Sequence, residues 1–548
     1  MAQRSTRIAS ADKLSRLALL EREEKRQKDS ARITITSLPL RLALAFVAGL
    51  LLLLAQTGAP WAWLGAAAMM LSIAGAAPEV GAAAGAIAGG IAYFRVLGDV
   101  NATGAFWLVM LFHVGGGAIT GALASLISKR LPPAAFPFLA ALLPAGLEHL
   151  GSFGITANLS STALTQYAHP FIVRMSRLGG LAGVTYVIFV FGGAVAVAVR
   201  YIRDASTIIA AAVPAAGFVL AGFIYGIASN AATDNRIVAT AFNCNSEAQT
   251  RKDLFSKNDY DAAAWSKYVE SVTVAADSQS NKSVVTDAMT RSDETKTPQL
   301  VVWPEAAVAV TAETQKGFFS RLAAIQKKTK CVQAAGYYDV TASTSKTVVT
   351  DSEGKANEGY SRLQFIHGVD DNLYGIQIST GGTMPPKIYS ADFGKMGILL
   401  SLDANYFGNF ERLGAQGAGL VAVSGYDDEK VPQTSMRLLV YNAARAGVAV
   451  VRSTESGFMA VIDPDGDIVE EQETQSTVDS AIVLPVRLGT GSTIAYTVGS
   501  AFAWLAFLGG IAAGLFASTI RESEPPSLPR RGEYGPLTYR TKEGAHDV

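Results

Sequence analysis

The chain has 548 residues, 49% of them hydrophobic and 17% charged, with a formal net charge of +0. A soluble enzyme carries about a quarter charged residues, and binding to nucleic acid phosphates draws on an excess of basic groups. The composition therefore argues against an entirely soluble protein and against nucleic acid as a partner.

The charges are unevenly placed. Residues 1–38 are polar and rich in charges of both signs, with an excess of basic ones at Arg4, Arg7, Lys13, Arg16, Arg22, Lys25, Arg26, Lys28 and Arg32. From Leu40 onward apolar stretches follow near 40–56, 60–77, 80–97, 104–127, 134–150, 178–200 and 207–228. Each is about long enough to cross a hydrocarbon core as a helix, which takes roughly 17–25 residues. The run near 80–97 is rich in Gly and Ala. After about 260 mixed residues, a last apolar run spans Thr497 to Ile520. The expected organisation is a cytoplasmic segment (1–38), a seven-helix transmembrane region (39–229) and a large extracytoplasmic domain (230–492). A final transmembrane helix (493–520) and a cytoplasmic tail (521–548) complete it. This is a polytopic α-helical membrane protein of about eight spans with one α/β domain.

Orientation follows from Lys and Arg near the ends of spans, which stay in the cytoplasm. Lys129/Arg130, Arg200/Arg203 and Arg530/Arg531 agree with a cytoplasmic amino terminus, whereas Arg174 and Arg177 fall outside. The first apolar run lacks a nearby small-residue cleavage site and reads as an uncleaved anchor.

In the outer domain, Arg236–Asn243, Leu300–Trp303, Cys331–Tyr338, Met396–Ser401, Gly419–Ser424 and Val448–Ser453 have strand length and composition. Thr314–Lys328 and Thr434–Ala446 carry helical periodicity, so a layered α/β sheet is expected. Ala276–Thr297 is polar and reads as a loop. The sequence Leu300-Val-Val-Trp-Pro-Glu305 sets a carboxylate just past a buried strand, where α/β sheets hold working groups. Alone, such a Glu is more often an ordinary loop residue. Gly397-Ile-Leu-Leu-Ser401-Leu-Asp403 ends a second strand on a hydroxyl and an acid. Two further segments follow, Arg445–Arg452 (RAGVAVVR) and Gly457–Gly466 (GFMAVIDPDG).

Together these segments resemble the nitrilase, or carbon–nitrogen hydrolase, superfamily with its αββα fold. With seven apolar runs before the domain and one after, residues 40–520 are similar to apolipoprotein N-acyltransferases. Pro144–Glu148 (PAGLE) and Leu178–Tyr186 (LGGLAGVTY) are similar to that family's membrane part. The resemblance implies a Glu–Lys–Cys triad. In it, Glu acts as base, a thiolate takes an acyl chain from membrane phospholipid, and the chain passes to the terminal amine of a lipoprotein. No metal or other cofactor is implied, and the setting would be the bacterial inner membrane. On this sequence the base falls on Glu305, the lysine position on Arg362 and the nucleophile position on Ser401. The accessory acids fall on Asp370 and Asp403.

Two of three triad positions thus depart from the family. A serine hydroxyl is far less acidic than a thiol and usually leans on His or Lys. Of the five histidines only His367 lies in the outer domain. Arginine holds an oxyanion but neither donates nor accepts a proton at working pH. Three readings follow: a lipoprotein N-acyltransferase with altered chemistry, a catalytically silent protein binding lipid, lipoprotein or a membrane partner, and an amide hydrolase. The two cysteines, Cys244 and Cys331, read either as a disulfide in an oxidising compartment or as separate buried thiols. Glu148, with His149 beside it, reads as a substrate-binding group or as an interfacial residue. Arg174 and Arg177 read as ligands for lipid phosphate or as interface anchors.

Overall fold

Between residues 38 and 228, long runs of Leu, Ala, Val and Gly offer little besides the main chain to hydrogen-bond, and helices form. The computed structural model describes residues 35–55, 60–94, 105–151, 161–243, 262–281, 298–363, 385–426, 432–474, 480–491 and 493–520. Seven described helices come first: α1 (Leu38–Leu54), α2 (Trp61–Ile73), α3 (Pro78–Tyr93), α4 (Ala105–Arg130), α5 (Phe136–Gly151), α6 (Pro170–Arg200) and α7 (Ala205–Ala228). Pro sits in the first turn of α1, α3 and α6, where its missing N–H costs no helical bond. Helices α3 and α4 meet through glycine: a Cβ on Gly85 would run into the carbonyl oxygen of Gly117. Such close backbone approach is how helices associate when apolar side chains gain nothing by leaving lipid.

Downstream the chain turns to strands. β1 (Ala232–Asn243), β2 (Leu300–Val302), β3 (Val308–Val310), β4 (Val332–Asp339), β5 (Thr344–Thr350), β6 (Ala356–Ser361) and β13 (Ser480–Gly489) make one sheet. Its order is β13-β1-β2-β4-β5-β6, with β3 also beside β4. The second sheet holds β7 (Ile388–Ala391), β8 (Gly394–Leu400), β9 (Leu420–Gly425), β10 (Ala449–Thr454), β11 (Gly457–Ile462) and β12 (Ile468–Thr474). Its order is β12-β11-β10-β9-β8-β7.

Parallel register aligns Ala239, Leu300 and Val332 across the first sheet, and Met396, Leu420 and Ala449 across the second. All six belong to one buried cluster, the layer between the two sheets. On the outer face of the first sheet, α8 (Ala262–Asn281) and α9 (Gln315–Thr329) bury Val272, Ala276, Phe318 and Leu322 against Val301, Trp303 and Tyr337. On the second, α10 (Phe407–Ala415) and α11 (Pro432–Ala446) bury Phe410, Met436 and Val440 against Leu399, Val421 and Val450. The domain is therefore layered helix, sheet, sheet, helix. The α11 core runs without interruption into Leu164, Ile172 and Val173 of the helical region. Finally α12 (Ala495–Thr519) packs on α5 and α6, with Ala503 and Ala506 against Ala145 and Ala182.

Among the described residues, four helical stretches are long and apolar enough to cross a membrane: Val109–Arg130, Pro170–Arg200, Ala205–Ala228 and Val498–Thr519. Leu38–Leu54, Trp61–Ile73 and Phe136–Leu150 are apolar but shorter, and the Gly/Ala helix α3 falls outside both groups. Large apolar side chains face outward on these helices, among them Trp107, Leu111, Ile209, Leu220, Leu505 and Phe516. Two expectations change. Helix α6 begins at Pro170, eight residues before the apolar run near 178–200, and so takes in Arg174 and Arg177. Residues 276–281, read as loop, are the end of α8, held by the apolar contacts of Val272 and Ala276.

Candidate functional site

The chain leaves β2 at Val302 and turns through Trp303-Pro-Glu305. Trp303 is fastened by its N–H to the Ala334 carbonyl at 2.9 Å and by its indole N–H to Gln333 Oε1 at 3.0 Å. Glu305 N–H reaches across to the Gly425 carbonyl of β9, at 3.2 Å, and Ala306 follows with a left-handed φ of 51°. A Cβ on Gly336 would stand 3.0 Å from Glu305 Cα and from Ser424 Cβ, so only glycine lets β4 pass this close.

Ser401 directly follows β8 and opens a short 3-10 turn, Ser401–Asn405. Its φ of 29° is rare for a residue with a side chain and costs of order 1–3 kcal/mol, strain that concentrates at working sites. The hydroxyl donates to the Glu305 carboxylate, has the Tyr426 carbonyl at 3.1 Å as a second acceptor, and accepts the Tyr426 N–H at 2.8 Å. Arg362, just past β6, is anchored by its N–H to the Ser345 carbonyl at 2.9 Å. Its Nη1 donates to the second Glu305 oxygen, Oε1, at 3.3 Å. Glu305 is 0% exposed, Arg362 1% and Ser401 6%. Arg362 and Ser401, from two strand ends, thus converge on the carboxylate that a third strand end supplies, in surroundings that screen charge weakly.

Asp403 supports this group. Its Oδ2 accepts the Leu363 N–H at 2.9 Å, and it hydrogen-bonds the Tyr360 hydroxyl. That hydroxyl in turn accepts the Leu400 N–H at 2.7 Å. Burial and the neighbouring Asp403 push the Tyr360 phenol well above its ordinary range, so it stays protonated. Residues on both sides of Arg362 are thereby tied to the turn that carries Ser401. Tyr360 and Tyr426 were not singled out from sequence: one acts through its hydroxyl and the other through its main chain, and neither contact has a local pattern.

Among the described residues, Ser401 hydrogen-bonds with Glu305 and Tyr426 alone. No His or Lys supports its hydroxyl there. Among the described residues the hydroxyl and the guanidinium are both engaged by Glu305, and no His-type proton shuttle adjoins Ser401.

The other candidates separate. Asp370 and Cys244, with His367, lie outside the described residues. Cys331 is a buried free thiol rather than half of a disulfide. Burial pushes it up to about 12. Arg174 and Arg177 are not free for lipid phosphate. Arg174 Nη2 pairs with Asp467 at 2.8 Å, and buried Arg177 pairs with Asp465 at 2.7 Å and also donates to Ser229, Ala444 and Pro464. They tie α6 to the turn between β11 and β12. Glu148 is likewise occupied, accepting from Ser161 Oγ at 3.0 Å, Thr162 N at 3.0 Å, Thr162 Oγ1 at 2.5 Å and Thr185 Oγ1 at 2.7 Å.

No family model matches the chain, and no curated protein matches it. Among solved structures it is similar to a cysteine-to-alanine variant of an amidase from the nitrilase superfamily of Nesterenkonia AN1. The identity is 16% over 46% of this chain and 92% of that one, with a TM-score of 0.31. A second variant of the amidase from Nesterenkonia sp. AN1, carrying the acetamide moiety of fluoroacetamide on its active-site cysteine, is 16% identical. That match covers 49% of this chain and 95% of the other, with a TM-score of 0.33.

Proposed function

We propose that this chain is a membrane protein of the apolipoprotein N-acyltransferase type whose site binds the acyl end of a phospholipid or lipoprotein without acyl-cysteine chemistry. Its domain lies on the extracytoplasmic face of a bacterial inner membrane, and its helices cross that membrane. The observation that carries the reading is the Glu305 carboxylate shared between the Ser401 hydroxyl and the Arg362 guanidinium. A carboxylate so engaged, beside a hydroxyl without His or Lys among its described partners, supports retention of a polar anchor and loss of the nucleophilic step.

A second reading, turnover through an acyl-serine, draws on one specific observation: the strained backbone at Ser401. One experiment separates the two. The purified full chain is incubated with phospholipid bearing a labelled acyl chain, denatured and digested, and Ser401 is searched for an ester by mass spectrometry. No adduct is expected from the native chain. Ser401→Cys combined with Arg362→Lys should form a hydroxylamine-sensitive thioester, provided near-attack geometry survives; a misplacement of about 1 Å costs roughly a hundredfold in rate. An acyl ester on Ser401 that disappears in Ser401→Ala would overturn the silent reading.

A further inference from the structure

Between α5 and α6 in the chain lies a short 3-10 turn, Thr162–Gln166, with all five residues buried. A turn this deep has to find its hydrogen bonds inside the protein, and it finds them on three helices. Glu148 of α5 accepts from Thr162 N–H and Thr162 Oγ1, and from Ser161, the residue that caps the turn. Thr185 of α6 donates to the same carboxylate at 2.7 Å. Trp63 of α2 donates through Nε1 to Gln166 Oε1 at 3.1 Å. One carboxylate thus orders the turn and joins it to both flanking helices.

The α/β domain reaches this turn through α11, and spacing along that helix separates two tasks. Arg437 and Tyr441 are four residues apart and share one face. The Arg437 guanidinium lies 5.0 Å from the centre of the Tyr167 ring, and the Tyr441 hydroxyl donates to the Ala163 carbonyl at 2.6 Å. Burial pushes the Tyr441 phenol above its ordinary range, so it stays a donor. Ser435 and Asn442 are seven apart, two turns on, and share another face. Asn442 Nδ2 donates to the Ala404 carbonyl at 2.9 Å, and Ser435 Oγ accepts Asn405 Nδ2 at 3.2 Å. Ala404 and Asn405 belong to the turn that Ser401 opens. Ser435, Tyr441 and Asn442 are all buried, so water does not compete for these bonds.

The φ of 29° at Ser401 persists only where the surroundings over-determine it. Helix α11 supplies two of the holds on that turn, and the same helix is seated on the turn that Glu148 orders. Glu148 and Asn405 both line a cavity of about 420 Å³, and among the described residues no hydrogen bond joins them across it. The connection runs round the cavity instead, through Ala163 and α11. Its hydrogen bonds, Glu148 to Thr162, Ala163 to Tyr441 and Asn442 to Ala404, are 2.5–3.0 Å long.

We propose that Glu148 is a positioning residue for Ser401, acting from the helical region through Ala163, Tyr441 and Asn442 on the turn that holds the hydroxyl against Glu305. The proposal rests on the reading of Glu305 and Ser401 as the working site and on nothing about what meets them. It gives Glu148 a task other than holding substrate. It also makes the packing of α5 against α6 a control on Ser401, since a shift between those helices pulls on the carboxylate they share.

The test is hydrogen exchange of the detergent-solubilised full chain, read by mass spectrometry on peptides covering 401–405, with β9 and β10 as internal references. Glu148→Gln keeps the shape and removes the charge. It should speed exchange at 401–405 about 10-fold, as expected when charge-assisted hydrogen bonds weaken, and leave β9 and β10 unchanged. Tyr441→Phe and Asn442→Leu cut later links and should speed the same peptides by a similar factor. Because the links act in series, Glu148→Gln combined with Tyr441→Phe should exchange no faster than the quicker single variant. Thr185→Val removes one of the four donors and should give a smaller rise at the same place; it replaces Glu148→Gln if that variant does not fold. Unchanged exchange at 401–405 would overturn the proposal. So would a rise shared equally by β9 and β10, which is a general loss of stability. A double variant whose factor is the product of the two singles would also overturn it, because the two residues would then act apart. No ligand enters the measurement, so its outcome is independent of any acyl chemistry at Ser401.

Discussion

Arg177 and Asp465 form a buried ion pair, Nη2 to Oδ1 at 2.7 Å, with side chains 3% and 4% exposed. The same Asp465 oxygen accepts the Ala231 N–H at 2.7 Å, at the entry to β1. Helix α6, the start of the first sheet and the β11–β12 turn are therefore held at one point. Removing one partner of a buried pair strands the other charge and costs about 3–5 kcal/mol. Arg177→Met should lower the melting temperature of the detergent-solubilised chain by several degrees, with Arg177→Lys intermediate. Unchanged melting in Arg177→Met would show that this pair holds nothing together.

The Glu305–Arg362 contact is open to a double-mutant cycle. Glu305→Gln and Arg362→Met should each destabilise, and the double variant should be less unstable than their sum. A coupling energy of about 0.5–3 kcal/mol is expected for groups in direct contact. Chemical denaturation monitored by tryptophan fluorescence gives the four values. Strict additivity would mean that the two charges do not meet in solution.

Cys331 gives a pH dependence with a definite sign. Its native thiol is held near 12 by burial, whereas an unfolded cysteine titrates near 8.5. The unfolded state therefore loses its proton first. This contribution to stability is fully present below about pH 8.5 and is lost as pH rises towards 12. Maleimide labelling at pH 8, mapped by mass spectrometry, should leave Cys331 untouched in the folded chain and modify it once denaturant is added. Rapid labelling of folded protein at Cys331 would contradict the burial.

Reporter fusions test the arrangement of the helices. Fusions after residues 130, 203 and 540 should report cytoplasm, and those after 240 and 480 the opposite side. A cytoplasmic signal at 240 would remove both the count of crossings and the location proposed for the domain.

How far the sequence could be read depended on where each residue's partner lies. β2, β4, β8, β9 and β10 are buried on both faces, so their Val, Leu, Ile and Ala runs mark them without further context. β12 has no such mark: Glu470, Glu471 and Glu473 point to solvent from an edge strand, and charge there protects against edge pairing. Glu305 and Ser401 were legible as strand-end residues, since strand ends follow from local pattern. The ion pair to Arg362 joins positions 57 residues apart and has no local trace. Arg174 and Arg177 read equally as lipid contacts or interface anchors for the same reason: their acidic partners lie almost 300 residues later.

The apolar layer shared by α11, Leu164, Ile172 and Val173 has a mechanical consequence. A hinge needs a seam of few contacts, and among the described residues the helices and the second sheet share one continuous apolar layer here. The depth of Ser401 relative to α6 is then fixed by construction. Motion of the second sheet towards or away from α6 would have to break that layer.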